Sequence, residues 1–341
     1  MSAEPIPVAA AIPAALRERS ALEHYLAPLQ PLLADPEVTE LCINHPGEAF
    51  LERRMGWERI ALPFASFDWC RHLARLVASS TSQRVNQESP LLTAALPSGE
   101  RMQVVLPPAC AIGTVAITIR RPSDRTWTLS ELAAGGLFAN CRMSGERDDN
   151  SDAALVALLK AGDWEAFLRA AVEAKKNIIV SGATGSGKTT LTKALLLEIP
   201  ADERLITIED AAELKLDGHP NSVRLFYSKD EQGLARVTPK KLLEACLRMR
   251  PDRIILAELR GEEAYYYLRN VNSGHPGSIT SVHASSAEGA LEQLALLVKE
   301  SAAGREMARE DIRSLLNQLV DVIVHCANNE SGRYVGEVLL S

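Results

Sequence analysis

The sequence predicts an α/β protein in two parts: a smaller α+β domain, then a larger domain built on a mostly parallel sheet. Two observations lead to this prediction. Before residue 123, short β-like runs alternate with helix-like segments. From residue 153 onward, short continuous apolar runs alternate with helices, the pattern of a parallel sheet covered on both faces. A chain of 341 residues is long enough for two separate cores.

The N-terminal α+β domain is expected over residues 1–122. Its helical segment is DWCRHLARLVASST, at 68–81. Its β-like runs are LCIN (41–44), ERIAL (58–62), MQVVL (102–106) and VAITIR (115–120). The following connection contains CRMSGERDDNSD (141–152), which is charged and poor in apolar residues, as in an exposed linker or mobile loop. We therefore assign 123–152 to a linker.

The C-terminal domain is expected over residues 153–341. Thr238 and Pro239 predict a helix start, because a capping hydroxyl is followed by proline at the first helical position. The predicted strands are NIIVSG (177–182), RLITIED (204–210), SVRLFYS (222–228), RIILAEL (253–259), SITSVHA (278–284) and DVIVHCA (321–327).

The composition narrows the class of protein. Charged residues interrupt every apolar segment, so no membrane-spanning helix is expected. The six cysteines lie far apart without a C-x-x-C pair, which disfavours zinc ribbons and favours reduced thiols. A net charge of -7 argues against a surface committed to nucleic acid, although a groove could still carry local basic charge.

A phosphate-binding loop is predicted where the first of these strands meets a helix. Residues 182–189, GATGSGKT, match the G-x-x-x-x-G-K-[ST] pattern. Its backbone N–H groups and the helix N-terminus suit ATP phosphates, Lys188 can reach the outer phosphates, and Thr189 Oγ1 can ligate Mg²⁺. The expected nucleotide-binding residues are Gly182, Ala183, Thr184, Gly185, Ser186, Gly187, Lys188, Thr189 and Thr190.

Two strands are predicted to end in carboxylates beside this loop. RLITIEDAAEL (204–214) offers Glu209 and Asp210, which could orient or deprotonate a water molecule; a helix cap or a solvated loop is the alternative. RIILAELRG (253–261) resembles a Walker B strand, in which Glu258 could bind Mg²⁺ through water; the alternative is a charged strand end.

Two histidines lie close together in SGHPGSITSVHAS (273–285). His283 could contact the γ-phosphate or report its loss, with His275 as a weaker candidate. A satisfied core histidine is the alternative, and zinc binding is disfavoured because no cysteine or further histidine is near in sequence. The tyrosines at 265–267 could stack on nucleic acid, but consecutive helical residues point in different directions, which favours packing.

The order of GATGSGKT, TIEDAAEL, LRMRPDRIILAELRG and NSGHPGSITSVHA resembles the four motifs of the secretion-ATPase superfamily: Walker A, Asp box, Walker B and His box. The segment from 257 to 284 is most similar to the traffic ATPases of type IV secretion systems. The resemblance covers the C-terminal domain throughout and the N-terminal domain more loosely. It implies a RecA-like C-terminal domain and a homohexameric ring, in which each nucleotide lies between the two domains with help from a neighbour.

The resemblance also implies roles for single residues. Glu209 would be the general base, Glu258 the Walker B carboxylate and His283 the γ-phosphate sensor. Family members direct arginines of the N-terminal domain at the nucleotide, for which Arg101 and Arg120 are the candidates here. Arg121 is the alternate, and ordinary surface ion pairs are the alternative explanation.

Two departures from the family pattern stand out. Ala257 occupies a position where many relatives have glycine, and the four-cysteine zinc module of many type II secretion ATPases is absent from the sequence.

The resemblance also implies a cytoplasmic ATPase, peripherally associated with the bacterial inner membrane. Its partners would be inner-membrane and ATPase components of a type IV secretion system. A motor of the type IV pilus or type II secretion kind, a hexameric nucleic-acid translocase and a non-catalytic nucleotide-gated ring are the alternatives.

Overall fold

The structure is a computed structural model. It describes residues 21–122, 128–134, 149–228, 235–330 and 332–341. Most of the predicted linker lies outside the described residues, as do the first 20 residues of the predicted N-terminal domain.

The N-terminal part contains an antiparallel sheet of six strands in the order β3-β2-β1-β6-β5-β4. The strands are β1 Glu40–Ile43, β2 Glu48–Arg53, β3 Gly56–Ala61, β4 Leu91–Ala95, β5 Arg101–Val105 and β6 Ala116–Arg120. The four predicted runs are confirmed as β1, β3, β5 and β6, whereas β2 and β4 were not predicted.

Helices cover this sheet with a common apolar core. They are α1 Ala21–Leu26, the 3-10 turn Ala27–Leu29, α2 Gln30–Leu33 and α3 Phe67–Ser80. Helix α3 confirms the predicted helix, and it begins where the Ser66 hydroxyl accepts a hydrogen bond from Trp69 N at 3.1 Å. Leu73 of α3 is fully buried against the sheet residues Leu41 and Ile117.

The C-terminal part contains parallel strands that form two hydrogen-bonded groups, β10-β8-β9 and β11-β7-β12-β13. A parallel bridge between Leu259 and Val282 joins the groups. Only β13 is antiparallel within these groups, as far as the structure describes the chain. The strands are β7 Ile178–Gly182, β8 Leu205–Glu209, β9 Ser222–Phe226, β10 Arg253–Leu256, β11 Ile279–Val282, β12 Val322–Asn329 and β13 Gly332–Leu340. The six predicted strands and the α/β class are confirmed.

Helices lie on both faces of this second sheet. They are α5 Asp149–Ala161, α6 Trp164–Glu173, α7 Lys188–Leu197, α8 Pro239–Cys246, α9 Glu263–Asn272, α10 Ala287–Glu300 and α11 Arg309–Leu319, and a short helix, α4 Leu129–Ala134, precedes them in the chain. One core unites α8 to α11 with the sheet, and a second unites α5 to α7 with it. Helix α8 has its predicted cap, and Tyr267 packs in the first core at 2% exposure. None of the described helices is long and apolar enough to cross a membrane.

A buried arginine joins the two sheets. Arg204, just before β8, is fully buried and donates from Nη1 to Asn44 Oδ1 at 2.9 Å and to Asn221 Oδ1 at 2.5 Å. Its guanidinium lies 5.7 Å from the ring centroid of Trp57 on β3. Because Asn44 follows β1 and Asn221 precedes β9, this arginine ties the first sheet to the amino ends of β8 and β9.

Candidate functional site

The predicted phosphate loop lies between β7 and α7, as the sequence indicates. Gly182 ends the strand with φ of +150°, and Gly187 caps the helix with φ of +101°. A Cβ added at Gly182 would lie 2.3 Å from the carbonyl oxygen of Cys326 on β12. Glycine is therefore required where the loop leaves the sheet, because a side chain would collide with the neighbouring strand.

Lys188, the first residue of α7, folds back over this loop. Its Nζ donates to the carbonyl oxygens of Gly182 at 2.9 Å and Ala183 at 3.0 Å, and it lies 3.4 Å from His283 Nδ1. Burial lowers the pKa of the amine. These carbonyl contacts are ones that a phosphate oxygen could replace, since a charged acceptor binds an ammonium more strongly than a carbonyl does.

Glu258 lies opposite Lys188, just beyond the end of β10. Burial raises the pKa of its carboxyl group to about 7, and the nearby Lys188 opposes that rise. Its Oε1 lies 2.6 Å from His283 Nε2, but the ring N–H is not aligned for a hydrogen bond. Oε1 thus has no hydrogen-bond partner among the described residues, while Oε2 accepts from Arg260. Burial, then the charges of Lys188 and Arg260, lower the pKa of His283.

These groups enclose a cavity of about 200 Å³. Asp210 lies on its wall and accepts a hydrogen bond from Arg260 Nη1 at 3.1 Å. The described residues that line the cavity are Thr184, Gly185, Lys188, Thr189, Thr192, Asp210, Glu213, Leu214, Ala257, Glu258, Arg260, Ser281 and His283. The structure therefore brings Lys188, Thr189, Glu258 and His283 together, as the motif order predicts.

Glu209 does not lie on the wall of this cavity. It is fully buried, and its two oxygens accept hydrogen bonds from five donors. The donors are Thr207 Oγ1, Glu213 N, Leu214 N, and Nε and Nη2 of Arg224. In this conformation the carboxylate is occupied, so it is not free to accept a proton from a water in the cavity. Its neighbour Asp210 is the acidic residue of this strand end that reaches the cavity.

Arg101 and Arg120 lie at a different place from the phosphate loop. Both line a cavity of about 570 Å³ between the first sheet and the segment 247–251, and His275 also lines it. Arg120 Nε lies 3.5 Å from Glu40 Oε1. Arg121 donates from Nη1 to the carbonyl oxygen of Asp35 at 2.7 Å. Within one chain, these arginines do not share the cavity that Lys188 lines.

Other residues at the site were missed by sequence reasoning. Arg260 bridges Glu258 and Asp210, and Arg224 pairs with Glu209. Arg260 comes soon after the Walker B strand, so its place in the sequence could have indicated that it lies at the site. Arg224 gave no local signal, because its partner lies on the neighbouring strand.

Thr189 and Glu258 fit a Mg²⁺ ion that would be bound together with a nucleotide. The Thr189 side chain is exposed and lines the cavity, and Glu258 offers an oxygen without a hydrogen-bond donor among the described residues. Among the described residues there is no cluster of three or more His, Cys, Asp or Glu that could hold a metal.

Known proteins resemble this chain over nearly its whole length. A family model described as "Type II/IV secretion system protein" matches residues 23–337. The type IV secretion system protein VirB11 of Bartonella henselae is 47% identical over 324 residues, 92% of this chain and 91% of that protein. VirB11 of Brucella suis biovar 1 is 47% identical over 330 residues, 95% and 91% of the two chains.

A solved structure gives the same result. The crystal structure of the VirB11 ATPase from the Brucella suis type IV secretion system, in complex with sulphate, matches with a TM-score of 0.88 and 46% identity, covering 94% of each chain. The sequence matches and the structural match each cover more than nine tenths of this chain. The chain therefore belongs to the type II/IV secretion system protein family.

Proposed function

We propose that this protein is an ATP-hydrolysing motor of a bacterial type IV secretion system, powering its assembly and the transport of substrates through it. The observation that supports this most directly is the meeting of Lys188, Glu258 and His283 around a glycine-rich loop at the carboxyl ends of parallel strands. The two relatives described above are both named type IV secretion system proteins, which supports the biological setting.

The loop residues from Gly182 to Thr190 would hold the phosphates of ATP. Backbone N–H groups and the N-terminus of α7 suit the oxygens of the β-phosphate, and Lys188 would exchange its two carbonyl partners for phosphate oxygens. His283, held neutral, lies beside Lys188 and would face the γ-phosphate. When bound at Thr189 and Glu258, Mg²⁺ would neutralise charge on the phosphates.

Two carboxylates are candidates for the general base. The family resemblance implies Glu209, but its oxygens are taken by five donors. Glu258 lines the cavity, keeps one oxygen without a donor among the described residues, and has a pKa of about 7. A base with a pKa near the working pH is the most effective at proton transfer. The geometry favours Glu258 as the base in this conformation, with Glu209 acting on the loop that follows it.

A homohexameric ring would explain the position of the arginines. Arg101 and Arg120 are exposed and line a cavity apart from the phosphate loop of their own chain. We propose that the ring places them at the nucleotide of a neighbouring subunit, where guanidinium groups stabilise the transition-state charge. The proposal also includes a RecA-like C-terminal domain and a linker at 123–152. It further includes peripheral contact with the inner membrane and docking to other components of the secretion system.

ATP turnover by the purified full chain tests the proposed function. Lys188→Ala should lower turnover at least ~100-fold with an unchanged circular dichroism spectrum, since the phosphate cradle loses its cation. Lys193→Ala is the matched control, because Lys193 lies on the same helix and does not line the cavity. Unimpaired turnover in Lys188→Ala would refute the site. Turnover that DNA stimulates, with binding that weakens steeply with salt, would favour a nucleic-acid translocase instead.

A further inference from the structure

Glu209 holds the loop that forms one wall of the nucleotide cavity. Its Oε2 accepts the backbone N–H groups of Glu213 and Leu214, each at 2.9 Å. Glu213 and Leu214 both line the cavity, as does Asp210 at the start of the same loop. The position of this wall therefore depends on where the Glu209 carboxylate is fixed.

Arg224 on β9 fixes that carboxylate. Strands β8 and β9 are parallel neighbours, with Thr207 beside Arg224 and Glu209 beside Phe226 in the register. From this place Arg224 donates from Nε to Oε1 and from Nη2 to Oε2, both at 3.0 Å. A two-pronged contact of this kind sets the orientation of a carboxylate as well as its charge. A fully buried carboxylate also needs a cation beside it to remain ionised without a large free-energy cost.

The wall is linked in turn to the chemistry of the site. Asp210 accepts from Arg260, and Arg260 also contacts Glu258. If the loop moved, Arg260 would lose Asp210 and its hold on Glu258 would change. A line of direct contacts thus runs from Arg224 through Glu209 and the loop to Arg260 and Glu258.

Arg224 also lies where the two sheets meet. It lines a cavity of about 390 Å³ together with Asn44 and His45, which follow β1 of the first sheet. The next residues of β9 are tied to the N-terminal part as well: Phe226 N donates to Ala109 O at 2.9 Å. Strand β9 is therefore in contact with loops of the N-terminal part as well as with Glu209.

We propose that Arg224 is a positioning residue for ATP hydrolysis: acting through Glu209, it holds the loop 210–214 in place and links the N-terminal part to the nucleotide site. This inference rests on the proposed ATPase function. Arg224 does not line the nucleotide cavity, and its hydrogen bonds to Glu209 are its direct connection to the loop that does.

Kinetics of single and double variants test this route. Arg224→Gln should lower kcat roughly tenfold or more with a smaller change in the KM for ATP, because the wall is displaced while the phosphate loop is intact. Arg224→Lys keeps the positive charge but cannot make the two-pronged contact, so its kcat should lie between those of the wild-type protein and Arg224→Gln. The variant Glu209→Gln/Arg224→Gln should be no slower than Glu209→Gln, since Arg224 then has nothing to act on. Arg169→Gln, which breaks an exposed pair with Glu198, is the control.

Hydrogen exchange of the peptide covering 210–214 gives a readout that does not depend on turnover. We expect faster exchange at Glu213 and Leu214 in Arg224→Gln and Glu209→Gln, and wild-type exchange in Arg169→Gln. The proposal would be overturned if Arg224→Gln had the kcat and the exchange rates of wild-type protein. It would also be overturned if the fold-losses of kcat in the two single variants multiplied in the double variant. If wild-type protein hydrolyses no ATP but exchange responds as expected, the proposed function fails while the loop-positioning role stands.

Discussion

Glu258 Oε1 lies 2.6 Å from His283 Nε2, with Lys188 Nζ on the other side of the imidazole, 3.4 Å from Nδ1. Three titratable groups from three elements therefore meet at the cavity. Burial raises the pKa of the Glu258 carboxyl to about 7 and lowers the pKa of the His283 imidazole. Near neutral pH the carboxyl is the group that changes its charge.

The first prediction concerns the pH dependence of kcat/KM for ATP. We have proposed Glu258 as the base and as a Mg²⁺ ligand, and both roles require an ionised carboxylate. The kcat/KM should therefore be constant above the pKa of Glu258 and fall with decreasing pH below it. Because the pKa is about 7, we expect a midpoint near pH 7 and up to about a tenfold loss per pH unit below it. Initial rates between pH 5.5 and 9 at subsaturating ATP measure this decline, the acid limb of the pH profile.

His283→Gln separates the two groups. The acid limb should persist in this variant, because its source is the carboxyl group and the pKa of His283 is shifted below the usual value of 6.5. A limb that vanished in His283→Gln would instead assign the titration to the imidazole.

The second prediction compares two glycines of the phosphate loop. At Gly182 an added Cβ would lie 2.3 Å from Cys326 O and 2.4 Å from Ser186 Oγ. At Gly185, where φ is +78°, no described atom lies within 4 Å of it. Gly182→Ala should therefore lower the free energy of unfolding by about 3 kcal/mol or more, and Gly185→Ala by only about 1 kcal/mol. Urea unfolding measures both, and equal losses would contradict the argument.

Much of the site could be predicted because its groups sit in local motifs at strand ends. Strands β7, β8, β10 and β11 are buried along their whole length, so they appear in the sequence as short runs rich in apolar residues. Their carboxyl ends meet at one edge of the sheet, and Lys188, Glu258 and His283 line the same cavity there.

What could not be predicted depends on register and exposure. Glu209 and Asp210 are adjacent, but one is buried in the pair with Arg224 and the other lines the cavity. Neighbouring side chains of a strand point to opposite faces, and the position of β9 decides which of the two carboxylates meets Arg224. Strand β13 was missed because most of its residues are exposed, so it lacks the apolar signal of a core strand.

The third prediction concerns Glu40, a buried carboxyl beside Arg120. Burial raises its pKa to about 7, above the 4.5 of an unperturbed glutamate. A raised pKa means that the stability this group contributes is complete below about pH 4.5 and is lost as pH rises through 7. The loss amounts to about 3 kcal/mol at most. Glu40→Gln should therefore stabilise the protein at pH 8, by about 1–3 kcal/mol, and by under about 1 kcal/mol at pH 5.

Unfolding in urea at the two pH values measures this difference. Glu37→Gln, at an exposed position nearby, should change neither value. A loss of stability in Glu40→Gln at pH 8 would mean that the pair with Arg120 outweighs the cost of burial.

The fourth prediction tests whether the arginines act between subunits. Arg101→Ala/Arg120→Ala should lose at least ~100-fold in kcat. Mixing this inactive variant with inactive Lys188→Ala protein should restore activity if the arginines serve a neighbour, because some sites then combine an intact loop with intact arginines. For random 1:1 mixing in a closed ring, about a quarter of the sites recover. No recovery after subunit exchange would place the arginines at their own nucleotide.

The last prediction concerns the contact between the two sheets. Arg204 is fully buried, and it donates to Asn44 Oδ1 and Asn221 Oδ1 and to the carbonyl oxygen of Met249. Arg204→Met removes these donors from the buried Asn44 Oδ1 and Met249 carbonyl oxygen, which should cost about 2–5 kcal/mol of unfolding free energy. Arg59→Met, which breaks an exposed pair with Glu48, should cost under about 1 kcal/mol.

Because Arg204 joins the sheets, its loss should also split urea unfolding into two transitions, seen by comparing Trp fluorescence with far-UV circular dichroism. A single transition with wild-type stability in Arg204→Met would show that the sheets are held together by other contacts.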